Sequence, residues 1–202
     1  MLTASWKRYS AELNGGHHAD AAYWFDNGTG HMVTSDYYMP RYPEWVRAFD
    51  RTDLTAPYFG TQWLTHKLGT AGGTPDDRFR NAVRETPMSN DILLAFAKKM
   101  LASTALGRDR VPDFLAVSFS SMDYVGHAYG AHSPELDAMF VEQDRQLGEF
   151  LQALDAVVGK DHWTLALTAD HGVALPPASV KAEGSDAGII NATAYRTALR
   201  KA

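Results

Sequence analysis

The sequence predicts an α/β domain built on a parallel sheet with flanking helices, and three observations carry that prediction. Two runs, 113–121 (Asp-Phe-Leu-Ala-Val-Ser-Phe-Ser-Ser) and 163–168 (Trp-Thr-Leu-Ala-Leu-Thr), are apolar nearly throughout, as strands covered on both faces are. Between them, 134–158 places Leu136, Phe140, Leu147, Phe150, Leu151, Leu154 and Val158 near the 3.6-residue period, which predicts a long helix ended by Gly159. Strand, long helix, strand is the order of a right-handed βαβ crossover.

The remaining elements follow in chain order. Residues 1–20 are polar around Gly15-Gly16-His17-His18 and read as loop. Residues 21–26 and 31–35 flank Asn27-Gly28-Thr29-Gly30, a hairpin in which Asn-Gly supplies the positive φ of a tight turn. Pro43 opens a short helix through Phe49, since proline is tolerated at the first helical position. From Asp50 to Thr86, glycines and prolines are frequent enough to allow only short local elements. Asn90 caps a helix from Asp91 to about Leu106, with Ile92, Leu93, Phe96, Met100 and Leu101 as its apolar stripe and Gly107 as its stop. After Leu175 the chain turns polar until a short helix over 193–199.

Composition narrows the function classes. The 202 residues are 45% hydrophobic and 21% charged, a globular balance. Nineteen Lys and Arg against 24 Asp and Glu leave a net charge of −5, with no footprint for nucleic acid. There is no cysteine, so disulfides, thiol nucleophiles and Cys-type zinc sites are excluded. The longest apolar run, Ile92–Ala97, is far short of the ~20 residues of a membrane span. The first eight residues contain no apolar signal segment.

In open parallel sheets ligands gather beyond the carboxyl ends of strands, and both expected strands exit into Asp and His. After the first comes Asp123-Tyr-Val-Gly-His127, whose i,i+4 spacing sets carboxylate and imidazole on one helical face. After the second comes Asp170-His171-Gly172. Mixed oxygen and nitrogen donors suit zinc or manganese better than calcium or magnesium. Two such pairs suggest two cations, the arrangement used for phosphoryl displacement. Either pair alone is a common accident: an Asp can cap a helix and a His can stay exposed. Their joint position after the two strands of one crossover favours metal. His17 and His18, in a glycine-rich loop, read as exposed histidines. The aromatics of 23–63 read as packing. Asn191-Ala-Thr193 has the form of a glycosylation acceptor.

The segments Gly16-His-His-Ala-Asp-Ala-Ala-Tyr-Trp-Phe-Asp26, Thr34-Ser-Asp-Tyr-Tyr38, Thr86-Pro-Met-Ser-Asn90, Ser118 to His127, and Leu167-Thr-Ala-Asp-His-Gly172 together resemble the alkaline phosphatase superfamily. Within it the likeness is to bacterial alkaline phosphatases with a threonine nucleophile, related to type I phosphodiesterase/nucleotide pyrophosphatases. The resemblance implies two zinc ions, phosphate monoesters as small-molecule substrates, a phospho-enzyme intermediate, and a periplasmic or secreted setting. It implies that Asp123 and His127 ligate the zinc at the leaving-group oxygen. Asp170 and His171 then ligate the zinc that activates the nucleophile. Lys7 falls at the lysine of a Lys-x-Arg pair that holds phosphoryl oxygens, while Tyr9 stands where that pair has arginine. The family's threonine, and further zinc ligands, match nothing in the chain. Residues 1–202 are therefore expected to be the middle segment of one catalytic domain, incomplete and inactive alone. The alternatives are phosphodiesterase or nucleotide pyrophosphatase activity, or a degenerate binding module.

Overall fold

The computed structural model describes residues 1–70 and 72–200. Its main sheet has four strands in the order β3-β2-β1-β6: β1 (Leu2–Ser5), β2 (Ala21–Asp26), β3 (His31–Val33) and β6 (Leu115–Ser118). β1 runs parallel to both β2 and β6, while β3 is antiparallel to β2. The α/β expectation holds, as a mixed sheet with flanking helices.

The centre of that sheet lies where a loop was expected. β1 is wholly buried, and α1 (Arg8–Gly15) joins it to β2 as a parallel β-α-β unit. Leu2-Thr-Ala-Ser is too short and too rich in hydroxyls to signal a core strand, but those hydroxyls are satisfied. Thr3 Oγ1 donates to Ala11 O at 2.9 Å and Ser5 Oγ to Ser118 O at 3.0 Å, which removes the cost of burying them. Thr3 thus faces α1, while Leu2 and Ala4, on the opposite pleat, join the main apolar core.

That core is built on α4 (Pro87–Ser103). Phe96 is fully buried, with the rings of Tyr23, Trp45 and Phe49 at 5.1, 5.2 and 5.3 Å; Trp45 and Phe49 come from α2 (Glu44–Phe49). The helix begins earlier than the sequence suggests, because Pro87 is well suited to a first helical position and Thr86 is the cap residue. Asn90 is inside the helix, buried, accepting from Ser121 Oγ at 2.6 Å and donating to Gln146 Oε1 at 3.2 Å. Its polarity serves tertiary structure, not the helix end. Gly107 adopts a positive φ of 68°, but four residues beyond the last helical residue.

The expected hairpin is present as β2 and β3, but its left-handed residue is Gly30, at φ 75°. The four-residue turn does not place Asn27 or Gly28 there. Between Asp50 and Thr86 lie a 3-10 turn (Ala56–Tyr58), a small hairpin of β4 (Gln62–Trp63) and β5 (His66–Lys67), and α3 (Asp77–Arg84), capped by Asp76 accepting from Phe79 N at 2.8 Å. Helix α5 (Ser121–Tyr129) follows β6, and α6 (Pro134–Val157) packs on α4 and α5.

The crossover expected from 113–168 is not formed. Residues 163–168 make no strand pairing and are mostly exposed; they run beside the free edge of β6 and with it line an open cleft of about 1450 Å³. Each strand residue needs a partner for its backbone groups, and here the N–H and C=O groups of this segment meet none in the sheet. Beyond it, α7 (Pro177–Ala182) and α8 (Ala192–Leu199) contain no buried residue. Asn191, the candidate acceptor, caps α8 through Thr193 N and Ala194 N. No described helix is long and apolar enough to cross a membrane.

Candidate metal centre

The parallel register of β1 and β6 decides what meets at their carboxyl ends. Ser5 is paired with Ser118, so the residues just after each strand, Lys7 and the first turn of α5, come together. Lys7 Nζ donates to Asp123 Oδ2 in an ion pair that is partly buried. Partial burial alone would raise the Asp123 pKa; the hydrogen bond and charge of Lys7, backed by His127 and His171, outweigh it and hold the carboxyl below its ordinary value.

The other oxygen of Asp123 faces two imidazoles. His127 Nε2 stands 3.1 Å away, one helical turn on, and His171 Nε2 stands 3.3 Å away. Asp123, His127 and His171 each offer a donor atom, all within 4.8 Å of one another. Asp123 Oδ1 is buried yet accepts no hydrogen bond among the described residues.

His171 shows why this set suits a cation. Its Nδ1 is 2.9 Å from Gly172 O, and a carbonyl can only accept, so Nδ1 carries the proton. That leaves the Nε2 lone pair turned toward a carboxylate oxygen, a repulsive pairing unless a proton or a metal ion lies between them. The same arrangement, the Gly172 carbonyl first and the Asp170 charge second, raises the His171 pKa. One carboxylate and two imidazoles fit a transition-metal ion such as zinc.

Asp170 is placed less tightly. Its Oδ2 is 3.6 Å from His171 Nε2, and its side chain is 86% exposed. Asp170 and His171 follow no strand. They reach α5 because Val173 packs on Gly126, where an added Cβ would lie 2.7 Å from Val173 Cγ2. Gly126 is thus a site residue that motif reading did not single out; its sign in the sequence is a glycine one position before His127, on a helix with no need of one. Tyr124 is another. Lys7 Nζ lies 4.6 Å and Arg84 Cζ 4.0 Å from its ring centroid, distances typical of cation–π contact.

The structure does not bring the other candidates to this place. His17 bonds Tyr37 through Nδ1 at 2.9 Å, and His18 belongs to no ligand cluster among the described residues. Tyr9 is 73% exposed. Arg8 pairs with Glu12 at 2.9 Å and lies 5.5 Å from the Trp24 ring, so it does not stand in for the missing arginine.

The fold that carries this site is shared with known proteins. The Type I phosphodiesterase / nucleotide pyrophosphatase family matches residues 3–183, and the chain belongs to that family, within the alkaline phosphatase superfamily. It is 36% identical to the alkaline phosphatase PhoV of Synechococcus elongatus, over 88% of this chain and 37% of that protein. It is 34% identical to a protein of Myroides odoratus named calcium-transporting ATPase, over 94% of this chain and 40% of the other. The crystal structure of wild-type alkaline phosphatase PafA superposes with a TM-score of 0.82 at 28% identity, over 94% of this chain and 42% of that one. The chain spans about two fifths of the length of these relatives.

Proposed function

We propose that this chain is the middle segment of the catalytic domain of a phosphoric ester hydrolase acting on phosphate monoesters, with two zinc ions held in part by Asp123, His127, Asp170 and His171. The observation that carries the reading is the Asp123 carboxylate: one oxygen is held by Lys7 and the other, buried and without a hydrogen bond, is faced by two imidazole nitrogens. When bound, the ions would supply Lewis-acid stabilisation of charge on phosphoryl and leaving-group oxygens.

The chain's own residues do the positioning. Lys7 orients the carboxylate and, about one third exposed, keeps N–H donors free for phosphoryl oxygens, whose charge grows in the transition state. The Gly172 carbonyl fixes the His171 tautomer so that Nε2 can ligate. The relatives named alkaline phosphatase support monoesters. A second reading, phosphodiester or nucleotide pyrophosphate substrates, is favoured by the family's description and by Tyr9: one cation fewer suits a phosphoryl group that, doubly substituted, carries one charge fewer than a monoester.

Calorimetric titration of the 202-residue chain with Zn²⁺ tests the site. Binding should weaken at least about tenfold in Asp123→Asn, with His17→Ala unchanged. Equal affinity of Asp123→Asn and the unaltered chain would overturn the reading. The proposal gives the nucleophile to no residue of this chain, so p-nitrophenyl phosphate turnover that depends on Asp170 in the isolated chain would also contradict it.

A further inference from the structure

Helix α5 carries Asp123 and His127 and is short, so the place of both donors depends on what holds its two ends. Its first residue, Ser121, is fixed by the buried bond to Asn90, which continues through Gln146 to Pro87 O at 2.9 Å and Asp91 Oδ1 at 2.7 Å. Its last residue, Tyr129, is met from a different direction, by the β4–β5 hairpin. His66 Nε2 lies 3.0 Å from Glu135 Oε1, in the first turn of α6, and His66 Nδ1 lies 3.5 Å from the Tyr129 hydroxyl.

The proton logic of this bridge is consistent. The Glu135 carboxylate accepts, so Nε2–H of His66 donates to it, and Nδ1 is left to accept from the Tyr129 O–H. The hydrogen bond from His66 lowers the Glu135 pKa. A neutral imidazole thus satisfies both neighbours at once.

The hairpin that brings His66 is itself anchored. Trp63 is buried in a small apolar cluster with Val125 of α5 and with Leu136 and Met139 of α6, and Tyr129 packs against it. Leu64, at the turn, has a positive φ of 50°, a conformation a leucine keeps only where its surroundings impose it. The hairpin's two ends of contact, Trp63 under the middle of α5 and His66 at its last residue, both act on the helix that bears the ligands.

The geometry points to His66 as a positioning residue of the metal centre: by tying Tyr129 to Glu135 it holds the carboxyl end of α5, and hence His127 beside Asp123, in the ligating arrangement. This rests on the proposed function, since it presumes a metal at Asp123. Nothing in it requires His66 to touch metal or substrate.

Titration of the 202-residue chain with Zn²⁺ by calorimetry, and with Co²⁺ by visible absorption, tests it. The expected result is that His66→Ala binds Zn²⁺ about tenfold more weakly, as loss of a supporting hydrogen bond does, with an altered Co²⁺ spectrum. His66→Gln, whose amide can donate to Glu135 and accept from Tyr129, should recover both. Tyr129→Phe, which removes only the hydroxyl, should weaken binding in the same direction without lowering the melting temperature of the metal-free chain; it decides the matter if His66→Ala does not fold. Unchanged affinity and spectrum in His66→Ala and Tyr129→Phe would overturn the inference while leaving the metal centre standing. Equal weakening in His66→Ala and His66→Gln, with parallel loss of melting temperature, would overturn it as a merely structural effect. If the unaltered chain binds neither ion, the metal centre fails first and His66 has nothing to position.

Discussion

Leu94 and Leu167 both sit in apolar runs, yet Leu94 is buried under the sheet while Leu167 is 67% exposed beside the edge of β6. The contrast extends to their regions. Residues 2–157 supply every buried residue of the chain among those described, whereas 163–200 contribute none. The candidate metal centre draws on both. Lys7, Asp123 and His127 are set by strand register and by a helix pinned at both ends; His171 is delivered by a segment whose hold on the rest includes the contacts of Val173 with Gly126 and of Pro176 with Gly130. One half of the site is therefore built by the core and the other is laid against it.

The comparison can be broken most severely from the core side. Phe96→Ala removes the ring on which Tyr23, Trp45 and Phe49 converge, and replacing a fully buried Phe by Ala costs about 3–5 kcal/mol. The expected outcome in urea unfolding is a lower midpoint with an unchanged slope. Because β1 and β2 share this core, Zn²⁺ binding should be lost together with the cooperative transition, in the same variant.

The junction between the two regions should respond differently. Gly126→Ala places a methyl into Val173, but within α5 alanine is favoured over glycine by about 1 kcal/mol. The methyl should therefore push the 170–173 segment away and leave the folded core intact. Zn²⁺ affinity is expected to fall about tenfold while the melting temperature of the metal-free chain stays the same or rises. Val173→Ala in the same chain should restore affinity, since it vacates the space the methyl takes. A fall in both affinity and stability would show that His171 belongs to the core after all.

How far the sequence reveals this division depends on the range of the interactions involved. The helices over 87–103 and 134–157 are legible because their apolar faces repeat locally, and Asp123 and His127 because a turn of helix fixes their spacing. β1 is not: four residues with two hydroxyls carry no periodic signal, and their burial depends on Ala11 and Ser118 as acceptors. Asn90 is misread as a cap for the same reason, its partners lying 31 and 56 residues away. The candidate donors do gather beyond the carboxyl ends of parallel strands, but those strands are β1 and β6. Lys7 is reached from sequence only through family likeness, because its meeting with Asp123 is a consequence of sheet register. The strand expected over 163–168 fails in the other direction: the residues have strand character, and no hydrogen-bonding partner takes them up.

The finest test addresses that segment. Leu165 and Leu167 are 49% and 67% exposed. Had they been buried in a central strand, introducing a carboxylate at either would cost at least the 2–5 kcal/mol of a core leucine truncation. In the observed arrangement each is a surface substitution, expected to change stability by no more than about 0.5 kcal/mol. Leu165→Asp and Leu167→Asp should therefore each melt with the unaltered chain. The same two variants in a longer chain carrying the remainder of the relatives' length form the contrast. If both become strongly destabilising there, 163–168 has been taken into the sheet beside β6, and the difference between the two lengths measures how much of its burial comes from residues outside these 202.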